Sequence, residues 1–149
     1  MLIKIHSLEE TKEFAQKLAH LCKGKNIVIT LDGDLGAGKT TWTQFFAKAL
    51  GVKEVVNSPT FTIMKSYKQG DGQPLYHIDA YRLEGIEQDL GFEDCFDEGI
   101  SVIEWAEFIE SQLPLDRLAI SIEELEDYRN VSIKGLAKKS QKIVEALHD

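Results

Sequence analysis

The residues best placed to do chemistry lie in GDLGAGKTT, positions 33 to 41. Gly33, Gly38, Lys39 and Thr40 meet the spacing G-x-x-x-x-G-K-[ST], with Gly36 inside the loop. This spacing suits a phosphate cradle, because glycines let the backbone wrap an anion and the following helix start aims its N–H groups at it. In such a loop Gly33, Asp34, Leu35, Gly36, Ala37, Gly38, Lys39, Thr40 and Thr41 surround the phosphates. Lys39 reaches the β and γ oxygens, the Thr40 hydroxyl can ligate Mg²⁺, and Thr41 can reach an α oxygen. A lysine aimed into a ring of N–H donors with no anion would be repelled, so a glycine-rich turn without a ligand is the poorer reading.

A magnesium–phosphate site also needs a carboxylate, usually at the end of a buried strand. Two acids qualify. Glu104 ends the apolar run ISVIE and suits a direct or outer-sphere Mg²⁺ ligand. Asp79 ends LYHID and suits a group that orients or deprotonates water, and the two roles could be exchanged. His77 is either a hydrogen-bonded strand residue or a proton-transfer group, and Trp105 either fills core or forms a contact surface. Ser58, Thr60 and Thr62 form a hydroxyl-rich segment, which fits either a switch that senses the γ-phosphate or a strand with alternating threonines.

The elements that must position these residues follow from pattern. NIVITLD, 26–32, is a β-branched apolar run suited to a strand buried on both faces, and TWTQFFAKAL closed by Gly51 makes the helix after the loop. Leu2–Ile5 predicts a strand. Ser7 and Glu10 form a capping box for a helix through Phe14, Leu18, Leu21 and Cys22, closed at Gly24. Two strands flank the turn QGDG, 69–72, and the acidic stretch 84–99 predicts a short helix and loop on the surface. GISVIEW is a further buried strand, AEFIESQL a short helix stopped by Pro114, and Leu118–Ile122 and Asn130–Ile133 are two more strands. AKKSQKIVEALHD closes the chain as a helix, with Lys138 and Lys139 either a solvated helix start or a local basic patch.

The whole, 1–149, is expected to be one α/β domain. A formal net charge of −8 argues against broad electrostatic capture of nucleic acid. Cys22 and Cys95 have no metal-like spacing, and Cys22 sits in a helical pattern as a small buried thiol. No secretory signal or membrane-length apolar run is visible, so a cytoplasmic protein is expected. No guanine-reading N-K-x-D motif occurs, which disfavours a GTP switch. Only Arg82, Arg117 and Arg129 are present, with no arginine-rich lid of the kind small-molecule kinases use. A slow ATPase without an evident arginine finger, dependent on a partner for turnover, is the reading that remains. The alternative is a small kinase acting on a metabolite or nucleoside.

GDLGAGKTT, SPTFT at 58–62, HIDAYRL at 77–83 and GFEDCFDEGISVIEWAE at 91–107 occur in an order that resembles the TsaE (YjeE) family. These are bacterial P-loop ATPases required for the threonylcarbamoyladenosine (t6A) modification of tRNA. The resemblance covers nearly the whole chain and implies a three-layer P-loop NTPase fold, a central mixed β-sheet flanked by helices. It implies ATP and Mg²⁺ as cofactors, with Thr40 and Glu104 on the metal, residues 33–41 on the phosphates, and Asp79 and Lys39 needed for hydrolysis. It also implies that Thr11 lies close to the nucleotide. The implied partners are TsaD and TsaB, the pair that modifies adenosine 37, with tRNA met indirectly through that complex. One departure is Ala106, where the family often has proline after the tryptophan position.

Overall fold

The computed structural model describes residues 1–34, 38–59, 62–86 and 90–148. Its strands are β1 (Leu2–Ile5), β2 (Ile27–Gly33), β3 (Met64–Lys68), β4 (Pro74–Asp79), β5 (Ile100–Glu104), β6 (Leu118–Glu124) and β7 (Arg129–Gly135). Its α-helices are α1 (Leu8–Cys22), α2 (Lys39–Ala49), α3 (Phe92–Phe96) and α4 (Lys138–His148). The strands form one seven-stranded sheet in the order β1-β7-β6-β2-β5-β4-β3. β2 runs parallel to β5 and β6, and β4 runs parallel to β5. The pairs β1–β7, β6–β7 and β3–β4 are antiparallel, which makes the sheet mixed.

The alternation of side chains along β2 sorts them into two cores. Ile27, Ile29 and Leu31 join the larger cluster with α1, α2 and α4, where Phe14, Leu18, Trp42, Phe46, Ile143 and Leu147 are buried. Trp42 stacks on Phe46 with centroids 4.8 Å apart, and Phe14 tilts against Trp42 at 6.1 Å. Val28 points the opposite way and joins Ile78, Ile103, Leu83, Phe92, Phe96, Ala106 and Ile109. All five residues of β5 are buried, Ser101 and Glu104 included, as befits a strand with parallel neighbours on both sides and covered faces.

Local signals act much as their chemistry dictates. The Ser7 hydroxyl accepts the Glu10 N–H at 3.2 Å and caps α1, but the Glu10 carboxylate reaches the N–H of His6, one residue earlier than a capping box requires. Gly24 and Gly51 follow α1 and α2 with φ of +79° and +86°, the left-handed closure expected of them. Asp116 accepts the Lys139 and Ser140 N–H groups at 2.8 and 3.0 Å, so the first turn of α4 is capped from the β5–β6 connection. The Lys139 ammonium meanwhile bonds the Asn26 carbonyl, so this lysine is tied to the fold.

Two expectations change. The stretch 84–99 is not a surface loop throughout: Phe92 and Phe96 bury themselves at 3% and 7% exposure and pin α3 to the second core. Its acids obscured an aromatic pair at i and i+4, the spacing of one helix face. Residues Ala106–Gln112 form a 3₁₀ segment broken at Ile109, not a regular helix. Among the described residues no helix is long and apolar enough to cross a membrane.

Candidate phosphate-binding site

The carboxyl ends of β2, β5 and β4 lie side by side, since Leu31 pairs with Glu104 and Glu104 with Asp79. In open α/β sheets this edge is where ligands bind. The P-loop motif leaves β2 there and enters α2, whose first residue is Lys39. Leu35, Gly36 and Ala37, three of the expected phosphate-binding residues, lie outside the described residues, as does Thr60.

Gly38 precedes α2 with φ +99° and gives it no side-chain cap. The N–H groups of the first helical turn therefore point outward without a side-chain acceptor, an arrangement that favours an anion. A cleft of about 410 Å³ opens over this turn, lined by Gly38, Lys39, Thr40, Thr41, Ser58, Asp79, Glu104, Trp105 and Arg129. Thr40 is exposed to it, whereas Gly33 and Asp34 precede it at the end of β2.

Lys39 is only 6% exposed. Its ammonium stands 3.9 Å from Glu104 Oε1 and 4.8 Å from the centroid of the Trp105 ring. The other carboxylate oxygen of Glu104 meets His77 Nε2 at 2.8 Å. A carboxylate only accepts, so Nε2 carries the donated proton. Glu104 is thus gripped between a fully buried imidazole and the P-loop lysine. Asp79 is more open: its Oδ1 accepts the Tyr81 N–H at 3.0 Å, and its Oδ2 lies 3.5 Å from the Ser58 hydroxyl.

Backbone strain gathers here. Trp105, directly after Glu104, has φ +57°, and Ile63 has φ +65°, an outlier for a β-branched residue. The Ile63 carbonyl accepts the Asp79 N–H at 2.7 Å, so the strained residue ties the 58–63 segment to the acid. Ser58 and Thr62 do not belong to a strand, because β3 begins only at Met64. Trp105 packs against the second core, stacks on Phe108, and meets the exposed Tyr81 edge-on at 5.0 Å.

Thr11 lies beside this region, among Ile5, Gly38, Trp42 and Arg129, but it is buried and its hydroxyl donates back to the Ser7 carbonyl. The sequence offered no hint of Arg129. A Cβ added to Gly38 would stand 3.4 Å from the Arg129 guanidinium carbon, so this arginine rests against the start of α2. It belongs to β7, some ninety residues from the loop, and only sheet pairing brings it there.

Hard oxygen donors from Thr40 and Glu104 facing one cleft suit Mg²⁺, which takes few protein ligands and keeps waters and phosphate oxygens as the rest.

The sheet, with a phosphate loop at the end of its central strand, defines the class: an α/β protein with a P-loop. More particularly, the chain belongs to the TsaE family, for the family profile described as threonylcarbamoyl adenosine biosynthesis protein TsaE matches residues 5–131. It is 46% identical over 145 residues to the tRNA threonylcarbamoyladenosine biosynthesis protein TsaE of Bacillus subtilis (strain 168), covering 95% of this chain and 90% of that one. The protein of the same description from Haemophilus influenzae is 36% identical over 138 residues, covering 91% and 87%. The fold matches the crystal structure of Bacillus subtilis YdiB with a TM-score of 0.81 and 38% identity, over 99% of this chain and 93% of that one.

Proposed function

We propose that the chain is the Mg²⁺-dependent ATPase of tRNA threonylcarbamoyladenosine biosynthesis, acting with the TsaB–TsaD pair. Family membership supplies the process, and the convergence of Lys39, Thr40, Asp79 and Glu104 on one cleft carries the chemistry.

In this reading the N–H groups at the start of α2 and the Lys39 ammonium hold the β- and γ-phosphates, and neutralise charge as it shifts towards the leaving oxygen. The Thr40 hydroxyl and the Glu104 carboxylate would hold Mg²⁺, which would supply charge neutralisation to the phosphates. His77 fixes the Glu104 carboxylate from behind, and Lys39 leaves its contact with Glu104 for the phosphates. Asp79, the more open acid, orients the attacking water and accepts its proton. The Tyr81 N–H holds that carboxylate in place.

The test is phosphate release from MgATP by the purified chain, alone and with the TsaB–TsaD pair and tRNA. Lys39→Ala and Glu104→Ala are each expected to lower turnover by about a hundredfold or more, the usual cost of losing a group that stabilises developing charge. Addition of the partner pair should raise the wild-type rate. Unchanged turnover in both variants would sink the site assignment, and strict dependence on an added phosphate acceptor would make the protein a kinase.

A further inference from the structure

The two faces of the sheet are finished differently. Leu118, Ile120 and Ile122 of β6, with Val131 and Ile133 of β7, are buried in the first core. Their alternate neighbours point to the opposite face. There the second core draws its buried strand residues from β2, β4 and β5, with none from β6 or β7 among the described residues. A cavity of about 330 Å³ opens over this part of the sheet, a size within the range of small-molecule sites.

Strand register lays out its floor. Thr30, Ala119 and Lys134 pair in one row across β2, β6 and β7, and Asp32, Ser121 and Ser132 pair in the next row of the same face. Asp32 and Lys134 thus hold opposite corners, with Cα atoms about 12 Å apart for strands ~4.8 Å apart that rise ~3.4 Å per residue. The positions between them carry only small or hydroxyl side chains, which leaves the volume open. Glu107 and Glu110 line the cavity from the 3₁₀ segment above it. Arg117 lines it from just before β6, and its Nη1 donates to the Pro114 carbonyl at 2.8 Å, which holds the guanidinium at the rim.

Charge is therefore sorted by element. The carboxylates come from the far end of β2 and the overlying segment, and the cations from the start of β6 and the end of β7. Among the described residues none of these five groups forms an ion pair with another. A lone cation placed here would meet Arg117 and Lys134, and a lone anion would meet three carboxylates. A molecule carrying both signs satisfies both sets at once.

We propose that this cavity binds a small zwitterion whose ammonium and carboxylate are held apart by a short apolar chain. The ammonium lies with Asp32, Glu107 and Glu110, the carboxylate lies between Arg117 and Lys134, and Ala106, Leu113 and Leu136 cover the chain between. An α-amino acid carries both charges on one carbon, too close together to span the grid, so an ω-amino acid fits better. The site lies on the face of the sheet away from α2, and the inference stands apart from the nucleotide reading.

The test is titration of the full wild-type chain, followed by amide NMR shifts, with glycine, γ-aminobutyrate and ε-aminocaproate. Hexylamine and hexanoate serve as probes with a single charge. Saturable shifts at Ser121, Ser132 and Lys134 are expected, with affinity rising from glycine to the longer zwitterions. Each probe with a single charge should bind about threefold or more weakly than ε-aminocaproate, as loss of one half-exposed ion pair dictates. Lys134→Ala and Glu110→Gln, both at exposed positions, should each weaken ε-aminocaproate by about three- to fivefold. No saturable shift with any zwitterion, equal binding of hexylamine or hexanoate, or unchanged affinity in both variants would overturn the proposal. So would shifts confined to Lys39 and Thr40, since these would put the ligand in the phosphate cleft.

Discussion

His77 offers a sharp test of how the site is held together. It is fully buried on β4 and donates from Nε2 to Glu104 at 2.8 Å, while its Nδ1 has no hydrogen-bond partner among the described residues. In His77→Leu the Glu104 carboxylate loses its nearest donor among the described residues but stays buried, with the 3.9 Å contact to Lys39 left in compensation. A hydrogen bond to a charged group contributes about 1.5–3 kcal/mol, and the stranded acceptor adds its own desolvation cost. Removal of the unpaired Nδ1 offsets part of this, so a net loss of about 2 kcal/mol is expected. For a chain of this size that lowers Tm by roughly 4–8 °C. His77→Gln places an amide N–H near the position of Nε2 and should recover at least half of the loss. The second readout is Mg²⁺ itself: a loosened carboxylate should weaken Mg²⁺ binding in the presence of ADP by about 10–100-fold in His77→Leu. Urea denaturation and magnesium titration of the three proteins decide the matter. If His77→Leu matched wild type in both stability and magnesium affinity, the view that the imidazole positions Glu104 would be refuted.

Other consequences follow from groups outside the cleft. Burial pushes the Cys22 thiol up to about 12, so it stays protonated at pH 8; alkylation of the native protein there should be far slower at Cys22 than at Cys95, and denaturant should abolish the difference. Desolvation tends to raise the Asp116 carboxyl, but hydrogen bonds from Ser140 and Lys139 outweigh it and hold the carboxyl below its ordinary value. Its contribution is then present above about pH 4, the unfolded value, and is lost as pH falls below it; Asp116→Ala should cost about 1 kcal/mol at pH 7 and less near pH 3 by urea denaturation, as loss of a helix cap does.

What was legible in the sequence was whatever short-range chemistry controls. The P-loop spacing, the β-branched run before it and the glycine after α2 each act within a few residues, and each element formed where its pattern lay. β5 was readable for the same reason, since Ile100, Val102 and Ile103 put apolar side chains on both faces of a short strand. The start of α1 was readable too, apart from the glutamate that reaches His6 instead of Ser7. Acidity misled for 84–99, because net charge says nothing about which residues face inward, and Phe92 and Phe96 do.

The remainder belongs to the sheet. Strand order brings Glu104 and Asp79 to adjacent ends and sets His77 against Glu104, across 27 residues of sequence. The same order carries Arg129 from a hairpin near the end of the chain to the side of Gly38. Sequence spacing cannot encode such meetings, since strand pairing depends on which faces bury apolar surface together across the whole domain. The residues alone therefore pointed to a phosphate cradle. Which acid is gripped, which is open and where the arginine stands were decided by the tertiary structure, because those are properties of register between strands distant in the chain.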